Sequence, residues 1–194
     1  MEQPIENEEI IENVTMSAGK ANLYGSLIYL PVILIFGIPF ISLWGLGAFK
    51  LGGIQFITKS MSFFTTLLIG IVLHEGIHGL FWAIYCKNGI KSIKFGVKWE
   101  YLTPYAHCKE NLTVNQYKLG AAMPGILLGI LPTIIAIIIG NTWLLYAGIL
   151  FTGAAGGDIL ILWKLRKYDS NYLMKDHPDE IGFMVLKNNS KPQF

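Results

Sequence analysis

Charged residues are scarce along most of this chain and absent from long stretches of it. Between Lys20 and Lys50 lie 29 uncharged residues; between Lys59 and Lys87 the only charge is Glu75; among the 45 residues between Lys118 and Lys164 it is Asp158. Each stretch exceeds the roughly 20 apolar residues that cross the hydrocarbon of a bilayer. The pattern predicts an all-α membrane bundle of about four transmembrane helices, with spans at about 24–47, 62–85, 119–140 and 143–163. The last two come from dividing one apolar run at Gly140-Asn141-Thr142, a turn-forming triplet. Trp143 and Trp163 stand 20 residues apart, which at about 1.5 Å per residue puts an aromatic anchor at each interface of the fourth span.

Two segments break the simple picture. Span 1 carries Pro31, Pro39, Gly37, Gly45 and Gly47, and Leu51 to Thr58 is also uncharged, which predicts a kinked or partly re-entrant element. Between spans 2 and 3, Ile93, Phe95, Val97, Trp99 and Tyr101 alternate with Lys94, Gly96, Lys98 and Glu100. Period two predicts a small cytoplasmic strand with one oily face, lying on the membrane, closing its own hairpin or serving function. A polar tail (1–22), a cytoplasmic stretch (86–118) and a C-terminal tail (164–194) complete a single integral membrane domain over 1–194, without internal repeats.

Composition narrows the class further. Hydrophobic residues make up 53% and charged ones 14%, with mean hydropathy +0.48, which excludes a disordered chain. A net charge of +2 without a dense basic run excludes nucleic acid as a partner. Glu2, Glu6, Glu8, Glu9 and Glu12 at the start are the wrong composition for a cleavable signal peptide. Cys86 and Cys108 lack paired Cys-x-x-Cys spacing and read as free thiols. Thirteen of the 15 Lys and Arg residues fall on one side of the four spans and only Lys50 and Lys59 on the other. The positive-inside rule then places both termini and the 86–118 stretch in the cytoplasm, with the protein in the cell membrane. Oligomeric state has no sequence signal.

Ionisable groups at membrane depth are costly and are normally paired, metal-bound or turned to water. Inside the predicted spans they are His74, Glu75, His78 and Asp158. The first three form His74-Glu75-Gly76-Ile77-His78, the H-E-x-x-H pattern of zinc hydrolases. On a helix, residues four apart project within about 40° of each other, so the imidazoles suit one zinc, while Glu75 stands about 100° round, placed to take a proton from its water. Asp158 is the natural third ligand. The histidines lie 7 and 11 residues before Tyr85 and the aspartate 5 before Trp163, so all three fall in the cytoplasmic half within about 9 Å of depth. Small residues in Gly153-Ala154-Ala155-Gly156-Gly157, with Gly76 and Gly79, allow close helix approach. His107 is a further candidate, able to fold back over the site, and His177 in Asp176-His177-Pro178-Asp179 reads as turn chemistry. Phe81 and Ile84 stand where a metzincin would have glycine and a third histidine. Pro124 and Pro132 should bend span 3 and free backbone carbonyls near its cytoplasmic half.

With these residues the chain resembles the intramembrane zinc metalloproteases of the site-2-protease type, and more closely a family of small membrane zincin peptidases. The likeness rests on His74-Glu75-Gly76-Ile77-His78, Gly156-Gly157-Asp158, Pro104-Tyr105-Ala106-His107-Cys108 and Asp176-His177-Pro178, and covers most of 60–182. It implies that His74, His78 and Asp158 bind Zn2+ and that Glu75 is the catalytic base. Site-2 proteases usually carry Asn-Pro before the ligand aspartate and Gly after it; here Gly156-Gly157 precede and Ile159 follows. The expected activity is hydrolysis of a peptide bond near the cytoplasmic membrane face, in a peptide or transmembrane-protein substrate, with lipid as the surrounding partner. A membrane protein that binds or conducts zinc or protons through the same cluster, without proteolysis, is the alternative.

Overall fold

The structure, a computed structural model, describes residues 9–49, 53–100, 103–178 and 180–187, the side chains of 18 and 51–60 excepted. Lys50, Tyr101 and the outer ends of both tails lie outside the described residues. In chain order the elements are β1 (Ile10–Met16), α1 (Ala18–Trp44), α2 (Gly53–Ala83), β2 (Ile93–Lys98), β3 (Thr103–Cys108), β4 (Leu112–Thr113) and α3 (Val114–Pro124). A π-helical turn (Gly125–Ile130), α4 (Leu131–Ile139), α5 (Thr142–Ala154), α6 (Gly156–Leu165), β5 (Tyr172–Asp176) and β6 (Ile181–Lys187) follow.

Three helical stretches are long and apolar enough to cross a membrane: Gly19–Trp44, Met61–Ala83 and Val114–Ile139. Among the described residues α5 and α6 are long and apolar enough only when taken together, and they are bent by 45° at the break between them. Large apolar side chains on these helices, among them Leu27, Leu30, Leu43, Leu68, Val72 and Ile138, point outward and stay exposed. Such a surface is stable when hydrocarbon is the solvent.

Local chemistry explains the helix ends. Ser17 caps α1 through the Lys20 N–H, and Gly45 closes it at φ 70°. α1 runs through Pro31 and Pro39 as one helix and starts before the expected span, so the re-entrant reading of span 1 finds no support in the described part. Thr113 and Gln116 form a capping box at the start of α3. The predicted division at Gly140-Asn141-Thr142 is observed: Gly140 ends α4 at φ 71°, and Asn141 caps α5 by accepting the Leu144 N–H at 3.0 Å.

The β content corrects the all-α expectation. β2 and β3 form the foreseen hairpin, paired from Ile93–Cys108 to Lys98–Thr103. A second antiparallel sheet, in the order β1-β6-β5-β4, is built from segments taken as polar tails and from two residues ahead of α3. Its strands are two to seven residues long and its ends pair Ile10 with Leu186. Periodicity within one short strand is weak, and the pairing joins opposite ends of the chain, so no local pattern announces it.

The main core lies where this sheet meets the ends of α2, α3 and α6. Trp82, Leu112, Tyr117, Leu165, Met174 and Phe183 are buried there together. Nearby, Glu110 holds the turn after α2 by accepting from the Lys87 and Asn88 N–H groups at 2.8 and 3.1 Å and from Ser92 Oγ. Burial pushes its carboxyl up, but these hydrogen bonds outweigh it and hold the pKa below the ordinary glutamate value.

Candidate metal centre

α2 carries His74 and His78 on one face, their ring centroids 4.9 Å apart. Asp158 of α6 meets both: Oδ2 lies 3.1 Å from His74 Nε2, and Oδ1 lies 3.2 Å from His78 Nε2. One ligand atom from each of the three falls within 4.8 Å of the others.

Asp158 reaches this position because the last span is broken. α5 ends at Ala154 and α6 begins at Gly156, which puts Asp158 in the first turn of a new helix, where free N–H groups favour an anion. Gly156 lies against α1 at Gly25, and a Cβ there would stand 2.8 Å from Gly25 Cα. Gly153 faces the ring of Tyr29, whose hydroxyl donates to the Leu150 carbonyl at 3.0 Å. The small residues of span 4 therefore pack on α1, as close-approach spacing predicts. On α2 the outcome differs: a methyl group at Gly76 would meet no atom of the described residues within 4 Å, and Gly79 receives the ring of Phe95 from the hairpin instead of a helix.

His78 is held from two further directions. Its Nδ1 sits 2.9 Å from the Gly120 carbonyl of α3. A carbonyl only accepts, so Nδ1 donates to it and leaves Nε2 as the nitrogen that faces the carboxylate and would ligate a metal. Its ring stacks on Trp82 at 5.2 Å and 16°, and Trp82 stacks on Tyr117 at 5.3 Å and 23°. Trp82 Nε1 donates to the Tyr117 carbonyl at 3.2 Å. Trp82 is the next turn after His78 on the same helix face, a signal the sequence contained; Gly120 and Tyr117 come from another helix.

These residues fit a zinc ion. Two imidazole nitrogens and a carboxylate are borderline donors that zinc takes at about 2.0–2.2 Å, and atoms on such a tetrahedron stand about 3.3 Å apart. The other nitrogen of His74, Nδ1, is buried with no hydrogen-bond partner among the described residues.

Glu75 faces the same cleft, about 670 Å³ in volume, which Ala106 of β3 also lines. His107 also lines this cleft but stays outside the three-residue group. Its Nδ1 lies 3.9 Å from Asp176 Oδ2. Asp176 itself ties three elements together: it accepts from the Tyr117 hydroxyl and from the Cys108 N–H at 2.6 Å. Burial raises its carboxyl above the ordinary range, with those two hydrogen bonds opposing. Cys108 is buried, and burial pushes its thiol well up; its sulfur lies 3.4 Å from that of Cys86, and both are free. His177 makes a turn, its Nδ1 accepting from the Glu180 N–H at 2.9 Å.

Replacing Gly120 with alanine tests the support of His78. The new methyl would occupy the space of Trp82 Nε1 and push α3 and its carbonyl away from the imidazole. Gly120→Ala is expected to weaken zinc binding by about 10–100-fold, the cost of losing an outer partner of a ligand histidine, as measured by chelator competition.

The family model described as "Putative zincin peptidase" matches residues 67–173, more than half of the chain. No curated protein and no solved structure matches it.

Proposed function

Because the chain belongs to the zincin peptidase family, we propose that it is a zinc metallopeptidase in which His74, His78 and Asp158 hold the metal and Glu75 is the general base. The observation that carries this reading is the meeting of both histidines with one aspartate from a distant helix, at 3.1 and 3.2 Å, beside a glutamate in an open cleft. We extend it to cleavage within or just below the cytoplasmic face of the membrane, in the manner of site-2-type proteases, since all four residues sit on candidate spans. The excess of Lys and Arg on one side supports cytoplasmic termini.

Bound zinc supplies Lewis acidity, drawing the pKa of a water towards about 7 and polarising a carbonyl. Glu75 takes the proton from the attacking water and passes it to the leaving amine. Asp158 holds both imidazole Nε2 atoms towards one point.

A peptide bond inside a helix hides its carbonyl, so a transmembrane substrate unwinds before cleavage. Strand addition to the hairpin would hold the extended segment. The sequence directs attention to residues 93–101, but β3 contributes five consecutive residues, 103–107, to the cleft. Its outer edge is specialised. Pro104 has no N–H, and that of Cys108 goes to Asp176. A substrate strand there must donate its own N–H groups to β3 carbonyls.

Metal analysis with a cleavage assay tests the proposal. The detergent-purified protein is expected to hold about one zinc per chain, and hydrolysis of an unstructured reporter peptide should vanish on chelation and return with zinc. Protein purified free of zinc without chelator, or cleavage indifferent to chelation, would overturn it.

A further inference from the structure

We propose that Pro124 is a positioning residue of the metal centre: by removing one helical N–H it frees the Gly120 carbonyl to hold His78. The inference rests on the metal site proposed above.

In an α-helix each carbonyl accepts from the N–H four residues on. For Gly120 that residue is Pro124, which has no N–H and whose ring crowds the carbonyl it faces. The next donor does not step in, because the Gly125 N–H bonds to Ala122. The Gly120 carbonyl is thus left without a helical partner at a buried position, where an unpaired backbone acceptor is unfavourable.

Across the interface, His78 has the complementary need. The residue is 5% exposed, and its ring is covered by Trp82 on one face. Its Nδ1–H has to find an acceptor, and the Gly120 carbonyl stands 2.9 Å away. Each orphan satisfies the other. The consequence reaches the metal: with Nδ1 engaged by the carbonyl, Nε2 is the nitrogen directed at Asp158 and at the proposed metal position. Gly120 completes the arrangement by having no Cβ, so that Trp82 lies flush with α3.

The proline therefore has a role other than bending the span. α3, the π-helical turn and α4 continue as one candidate span, Val114–Ile139, through both Pro124 and Pro132. Pro132 removes the helical partner of Leu128 in the same way, but Leu128 does not line the cleft.

The test compares Pro124→Ala and Pro132→Ala in the full-length chain in detergent. Each variant is read by zinc affinity in chelator competition, by the visible spectrum of the cobalt(II)-substituted protein, and by thermal stability of the metal-free form. Alanine at 124 restores an N–H that competes for the Gly120 carbonyl. We expect about tenfold weaker zinc binding, at the lower end of what loss of an outer partner costs, and a shifted cobalt spectrum. Metal-free stability should hold or rise, since alanine suits a helix interior better than proline. Pro132→Ala should bind zinc as wild type does. Unchanged affinity and spectrum in Pro124→Ala would overturn the inference, as would equal weakening in both variants. Parallel loss of affinity and metal-free stability would also overturn it, by marking Pro124 as a packing residue. Wild-type protein that takes up no zinc would overturn the metal site itself, and this inference with it.

Discussion

Replacing Glu75 with glutamine is expected to lower peptide hydrolysis by about 10²–10⁴-fold, the contribution of a positioned general base, while zinc content stays at the wild-type level. Glutamine matches the size of glutamate, so the cleft keeps its shape. What disappears is a carboxylate able to take a proton. The metal is unaffected because His74, His78 and Asp158 converge without help from residue 75. The same variant separates the peptidase from its rival. A carrier or channel for zinc or protons would lose or change flux in Glu75→Gln and would show no cleavage in either form. Turnover and metal content measured on one preparation decide the matter, and a glutamine variant that cleaves at the wild-type rate removes Glu75 from the mechanism.

The second large effect concerns Asp158. Asp158→Asn keeps the volume and helix position but removes the negative charge that faces both Nε2 atoms; Asp158→Ala removes the ligand atom as well. Zinc affinity should fall by more than the roughly 10–100-fold that an outer partner costs, so that purified variants lose stoichiometric metal. His107 is the residue to watch. If the alanine variant kept its zinc, the third ligand would have to be sought there, even though His107 faces Asp176 at 3.9 Å.

Much of the centre was legible because its chemistry conflicts with its surroundings. Four ionisable residues in apolar stretches stand out on a plain reading of charge, and their depth in independent spans already brings Asp158 level with the histidines. The turn at Gly140-Asn141-Thr142 was legible for a similar reason: glycine at positive φ and an asparagine cap leave a local signature. Tyr117 and Asp176 were not, because their roles depend on which elements meet. Tyr117 and Asp176 are 59 residues apart and share a hydrogen bond only because β5 joins the sheet above α3. The freed carbonyls of span 3 follow from its prolines alone, but that one of them serves His78 depends on α2 and α3 lying side by side.

The four-stranded sheet also sets an order of events. β1 leaves the ribosome before α1, α2 and the later helices, yet it pairs with β6, from Met16–Ile181 outward to Ile10–Leu186. At the usual pace of about 5–20 residues per second, β1 waits roughly ten to thirty seconds for its partner. Phe183 arrives with that last strand and packs on Tyr117 with ring centroids 5.9 Å apart. The nascent chain therefore threads its helices first and seals the floor beneath the histidine, tryptophan and tyrosine rings only when synthesis reaches the final hairpin.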